Sequence, residues 1–252
     1  MSVVIIGAGR IGGALARRSE ERGIAASLVT RERGWQALEG PAGAPIVVAT
    51  RNDDLDDVLA RVPARRREDL VLVQNGMLRP WIAAHGLGAV SRGLLFFAVA
   101  RAGASIEVGA PSPFMGRQAG AIVRWLAALE VPAIEVAPAE FAAVELEKLI
   151  WNAAFGLLCE VYSATVGEVI AAHEAELRAL VAEMAAVGAA ALEVRLAVDP
   201  LVARLCAYSR SIAGYRGAVK EWRWRNGWFV AEAARLAVAT PVHARLLARR
   251  GA

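Results

Sequence analysis

The chain has 252 residues, a formal net charge of +4, 56% hydrophobic and 21% charged residues. That length buries a substantial core and accommodates two modest domains, while so small a charge, spread along the chain, leaves no footprint for nucleic acid. The longest apolar runs, at 3–9, 93–100 and 149–158, fall short of the roughly 18 residues of a membrane span, which excludes membrane insertion by a single helix.

The apolar start is broken by Gly7-Ala8-Gly9 and followed by arginines, the reverse of a secretory signal, so the expected location is cytoplasmic. Cys159 and Cys206 lie in apolar helical contexts and read as core filling. His85, His173 and His243 are scattered without ligand spacing, so no metal site is expected. Only two lysines occur, Lys148 and Lys220, all other basic side chains being arginine. A lysine kept in such a chain marks a position that can use an amine able to release its proton.

In chain order, Val3-Val4-Ile5-Ile6 reads as a strand buried on both faces. It runs into Gly7-Ala8-Gly9-Arg10-Ile11-Gly12 and then a helical stretch over 13–22. This is G-x-G-x-x-G between strand and helix: the first glycine permits the turn, the second admits a pyrophosphate, and the third lets helix and strand pack closely. A second strand, 25–30, ends at Arg31. An acidic residue there would hold a ribose 2′-hydroxyl, whereas arginine pairs with a 2′-phosphate, so NADP is favoured over NAD; Glu32 follows directly and keeps NAD open. A strand at 45–50, a helix at 54–62, a strand at 70–74 and another at 92–98 continue the alternation, which implies a parallel sheet. Ligands bind beyond the carboxyl ends of such strands, where Arg51 and Asn75-Gly76 fall; an ordinary turn explains Asn-Gly equally well.

After Pro132 and Pro138 apolar residues recur at helical spacing over 139–166, 168–193 and 202–215. The boundary is expected near residue 137, giving a dinucleotide-binding domain at 1–137 and a helical domain for substrate and dimerisation at 138–252. Lys148, Asn152 and Gly156 recur every four residues and share one helix face. A snorkelling surface lysine is the alternative. Trp222, Trp224 and Trp228 crowd one short segment and read as packing.

These pieces, taken in order, resemble the ketopantoate reductase (2-dehydropantoate 2-reductase) family over most of the chain: Gly7–Gly12, Arg31, Thr50-Arg51, Gln74-Asn75-Gly76-Met77, Lys148-Leu149 with Asn152, Ser209, Glu221 with Asn226-Gly227, and Thr240-Pro241-Val242. The resemblance implies an α/β fold, a Rossmann-type parallel-sheet domain followed by an all-α domain, and an active site where the two meet. It implies that Arg31 and Arg51 hold the NADP 2′-phosphate and that Asn75 lies near nicotinamide and substrate. Lys148 would be the general acid, Asn152 would orient the substrate and Ser209 would bind its carboxylate. Glu221 would bind a substrate hydroxyl or position Lys148. The implied partner is a small 2-oxo acid, and the apolar helices of the second domain suit pairing with a second copy of the chain.

Three features depart from the family. Gly156 stands where a second asparagine is usual, which is expected to open space for a bulkier substrate. Met77-Leu78-Arg79-Pro80-Trp81 replaces a glycine-rich continuation, and residues 92–116 lack much of the usual pattern. The expected activity is NADPH-dependent reduction of a 2-oxo acid, most readily ketopantoate. A reductase of a bulkier carbonyl or imine, and a non-catalytic dinucleotide sensor, are the alternatives.

Overall fold

Four consecutive β-branched residues form β1 (Val3–Ile6), and all four are buried. In the computed structural model, which describes residues 2–250, β1 lies inside a seven-stranded sheet of order β2-β1-β3-β4-β5-β6-β7. Its neighbours are β2 (Ala26–Val29) and β3 (Ile46–Val48), both parallel to it, and β4 (Leu70–Leu72) and β5 (Ser91–Gly93) continue in the same sense. The chain folds into two units, Met1–Phe141 and Ala142–Ala252. The sheet belongs to the first, with helices α1 (Arg10–Glu21), α2 (Leu55–Arg61) and α3 (Arg79–Ala84) in the connections between its first five strands.

Beyond β5 the alternation of strand and helix stops predicting the topology. The strand expected at 92–98 is only three residues long, because residues 94–111 make an excursion held by a bridge between Ala98 and Glu107. The chain returns as β6 (Ser112–Met115), antiparallel to β5, so the sheet is parallel except at this pair. Phe114 of β6 packs over Gly93: a Cβ there would lie 2.1 Å from the ring. Helix α4 (Ala119–Ala128) then crosses back to β7 (Ala133–Glu135), which is parallel to β6. Trp125 and Leu126 of α4, with Val3, Ile5, Val47 and Val71 of the sheet, belong to one buried core.

The second unit is helical. Helix α5 (Pro138–Val161) starts just before the division between the units, and α6 (Val166–Leu192) follows a break at 162–165. Apolar periodicity runs through that break, but Ser163 takes a left-handed φ of 51°. Thr165 and Glu168 then form a reciprocal capping box that starts α6. Helices α7 (Val198–Ser211), α8 (Asn226–Leu236) and α9 (Pro241–Arg250) complete the unit. Thr240-Pro241-Val242 is the entry to α9: Glu183 of α6 accepts the backbone N–H groups of Val242 at 2.8 Å and His243 at 2.9 Å. A carboxylate there satisfies orphan donors at the positive end of the helix. Among the described residues, no single helix is long and apolar enough to cross a membrane.

Candidate active site

In the first unit the candidate residues surround a turn made mostly of backbone. Gly7 ends β1 with φ 103°, and Gly9 is the N-cap of α1 (Arg10–Glu21), which has no side-chain cap. The first N–H groups of α1 therefore have no side-chain acceptor, as an anion-binding helix start requires. The turn is tight. A Cβ on Gly12 would lie 2.0 Å from the Gly7 carbonyl oxygen, and one on Gly7 would meet Thr50 at 3.0 Å and the Ala49 carbonyl at 3.1 Å. Gly9 has only the Ala49 carbonyl near, 4.0 Å from its would-be Cβ, and Ala8, Gly9 and Arg10 are exposed, while Ile11 is half-buried. The turn sits between β1 and β3, where the strand order changes direction, the crevice in which such sheets take ligands. An exposed backbone face closed to side chains fits a dinucleotide pyrophosphate.

Both predicted arginines lie at these strand ends. Arg31 follows β2, its side chain 84% exposed, and reaches Asp54 at 3.9 Å, three residues past the exposed Arg51. So exposed and long an ion pair holds Arg31 weakly, and leaves the guanidinium ready for a phosphate. Asn75 is exposed, and its carbonyl accepts a 2.8 Å bond from the Asn52 amide, itself 2% exposed. Gln74 donates to the Val48 carbonyl at 2.9 Å. Asn52 thus sets the backbone from which Asn75 projects, before the left-handed Gly76 at φ 97°. Nothing local in the sequence distinguishes Asn52 from a helix-start residue.

In the second unit the candidate residues are built on α5. Lys148 and Asn152 share a face, and the Asn152 amide donates to the Lys148 carbonyl at 2.8 Å. The Asn152 oxygen accepts from Arg225 at 3.2 Å, and Arg225 pairs with Glu221 at 2.5 Å. Arg225, 8% exposed, therefore joins two residues predicted from the sequence to each other. It escaped sequence reasoning because it hides among tryptophans in a segment that reads as packing. Lys148 keeps some exposed surface, yet burial first, and repulsion from Arg225 second, pull its amine from 10.5 to about 7. An ammonium so poised gives up a proton near neutral pH.

Ser209 is fully buried, and its hydroxyl oxygen accepts the Trp151 indole N–H at 2.9 Å. It braces Trp151 on the α5 face rather than presenting itself at the surface. Gly156 does not open the space expected of it. The Ala218 carbonyl oxygen would lie 2.7 Å from a Cβ there, so backbone occupies the position of the missing side chain. Asn226 donates to the Ala153 carbonyl at 3.4 Å and accepts from His243 at 2.9 Å. Burial lowers His243 to about 4 and keeps it neutral, so its Nε2–H can donate. Cys159 and Cys206 are buried free thiols.

A mostly parallel sheet with a glycine turn at its switch point defines a Rossmann-type unit, and a helical unit that carries Lys148 follows it. Residues 140–249 match the family model for the ketopantoate reductase PanE/ApbA C-terminal domain. No curated protein sequence matches the chain. Among solved structures, 2-dehydropantoate 2-reductase from Methylococcus capsulatus is similar at 19% identity and TM-score 0.76, over 98% of this chain and 95% of that one. D-mandelate dehydrogenase with NADH and anilino(oxo)acetate matches at 16% and 0.76, over 100% and 97%. A dimeric ketopantoate reductase from Staphylococcus aureus matches at 15% and 0.75, over 100% and 99%. At these identities the likenesses show the fold.

Proposed function

We propose that this protein is an NADPH-dependent reductase of a 2-oxo acid, with ketopantoate the first substrate to test and Lys148 the general acid. The observation that carries the reading is the Lys148 amine, drawn to about 7 on the helix face it shares with Asn152. The nicotinamide, when bound, supplies the hydride. As the carbonyl carbon is reduced, negative charge grows on its oxygen, and the Lys148 ammonium stabilises that charge and then passes its proton to it. A lysine at its ordinary pKa would hold the proton too tightly at neutral pH. Asn152, fixed by Arg225 and by its own helix, orients the substrate, and Glu221 holds Arg225. Arg31 and Arg51 favour the phosphate of NADP, with the backbone at Gly7–Gly12 holding the pyrophosphate. The free thiols fit a reducing compartment, consistent with a cytoplasmic enzyme, and the dimeric S. aureus neighbour supports a homodimer.

One observation favours a larger substrate. Tyr208 and Tyr215 are exposed and pack on Trp151, with ring centroids 5.2 and 6.1 Å away, three residues along α5 from Lys148. Aryl 2-oxo acids therefore belong beside ketopantoate in the assay. The test is NADPH consumption with this panel and with NADH as control. Turnover of at least one 2-oxo acid, preferring NADPH, is expected; none with any of them rejects the reading.

A further inference from the structure

The segment between α7 and α8 is laid along the junction of α5 and α6 at successive points. The Ala213 and Tyr215 carbonyls accept the N–H groups of Gly167 at 3.0 Å and Val166 at 2.9 Å. Arg216 donates to the Ser163 carbonyl at 2.8 Å, and the Val219 N–H to Glu160 at 3.0 Å. Three glycines make this closeness possible. A Cβ on Gly167 would lie 2.9 Å from Ala213, one on Gly156 2.7 Å from the Ala218 oxygen, and one on Gly217 3.2 Å from the Gly156 Cα. Backbone against backbone leaves no flexible side chain to yield.

The segment has a defined cargo. Directly after it come Glu221, in a left-handed conformation at φ 48°, and Arg225. Asn226 then fastens the start of α8 to the Ala153 carbonyl, one residue beyond Asn152. Arg225 is thereby fixed from both sides, and two of its nitrogens go to Asn152 and Glu221. Such charge-assisted bonds in a nearly buried setting are the strong kind.

We propose that the segment seated on Gly156 is a strap that delivers Arg225, and that Arg225 is the positioning residue of this site, locking Asn152 and Glu221 into one unit beside Lys148. The inference rests on the reductase reading for its catalytic consequence but not for its geometry. The charged groups near Lys148 in sequence or through the strap are Glu145 and Glu147 on its own helix, Glu147 being held by Arg204 of α7 at 2.6 Å, and Glu221 and Arg225, which pair with each other after the strap. Of these, Arg225 is the one whose charge opposes protonation of the amine.

Arg225→Gln, Arg225→Lys and Gly156→Asn test it. Arg225→Gln should lower kcat about tenfold or more, an effect of the size seen when a charged partner is removed, while NADPH binds as in the parent; Arg225→Lys should recover part of the loss. Gly156→Asn places an amide where the family resemblance leads one to expect it, yet it should cost activity, because its Cβ displaces the strap. A second readout does not need turnover. With two lysines in the chain, [ε-13C]lysine NMR resolves Lys148, and its titration midpoint should rise in Arg225→Gln. If the parent reduces no 2-oxo acid, the functional reading fails and the midpoint still decides the role of Arg225. A folded Arg225→Gln protein with parental kcat and an unmoved midpoint overturns the proposal, as does a Gly156→Asn protein with parental kcat. Should Arg225→Gln not fold, Glu221→Gln replaces it: a raised KM or lowered kcat supports the network, and parental kinetics overturn it.

Discussion

The glycine turn of the first unit and the α5 face of the second do comparable work by opposite means. On the proposed reading, the turn recognises its ligand with backbone, within six consecutive residues, and its side chains matter by being absent. The α5 face uses side chains whose settings come from far along the chain: Arg225 lies 73 residues from Asn152, and Ser209 lies 58 from Trp151. A local device tolerates few substitutions, whereas a distributed one can be dismantled gradually. That difference predicts how each will fail.

The largest effect is expected at the proton donor. Lys148→Met should lower kcat about a thousandfold, within the usual range for losing a general acid, with NADPH affinity unchanged in a fluorescence titration. If both fall together, the separation between cofactor-holding and proton-donating parts is wrong. At the turn, Gly12→Val forces the backbone apart at a 2.0 Å contact. Displacements of that kind cost about 1–3 kcal/mol, so NADPH binding should weaken about tenfold to a hundredfold, checked by calorimetry.

These two sites also show what sequence can and cannot reveal. Val3–Ile6 and Gly7–Gly12 announce themselves because every constraint is local: β-branched residues for a doubly buried strand, then glycines where a Cβ has no room. Lys148 and Asn152 were legible as a shared helix face. Arg225 was not, since its meaning comes from a strap whose path no periodicity encodes. Gly156 misled for the same reason: an empty side chain reads as open space until the backbone that fills it is known. In the fold, β6 and β7 were missed because they are four and three residues long and flanked or broken by Pro113 and Pro132. Helices α8 and α9 were missed because aromatic and arginine-rich stretches blur the apolar stripe. The break between α5 and α6 was legible from the two helical stretches 139–166 and 168–193, but it falls a few residues earlier, because it depends on Ser163, a left-handed residue that is not glycine.

Smaller effects sharpen the comparison. The pH dependence comes first among them. Lys148 works as an acid only when protonated, and its amine is lowered to about 7. For reduction, kcat/KM should therefore be level below pH 7 and fall about tenfold per unit above it; a profile level to pH 9 would break the assignment. Arg31→Ser removes the proposed charge-assisted contact to the 2′-phosphate, of about 1.5 kcal/mol or more. NADPH affinity should drop about tenfold while NADH affinity stays put, and equal losses would place Arg31 elsewhere. Asn52→Ala frees the Asn75 carbonyl from its 2.8 Å bond. A loss of about 1 kcal/mol should reduce kcat several-fold with little change in melting temperature.

The central claim is that Lys148 is the proton donor of a nicotinamide-dependent carbonyl reduction. The most direct measurement is the rate of NADPH oxidation with ketopantoate and a panel of 2-oxo acids, for the parent and for Lys148→Met, with cofactor affinity measured on both. The account predicts turnover by the parent, nearly none by the variant, and equal NADPH binding. Parental turnover in the variant, or tight NADPH binding with no turnover of any 2-oxo acid by the parent, would contradict it.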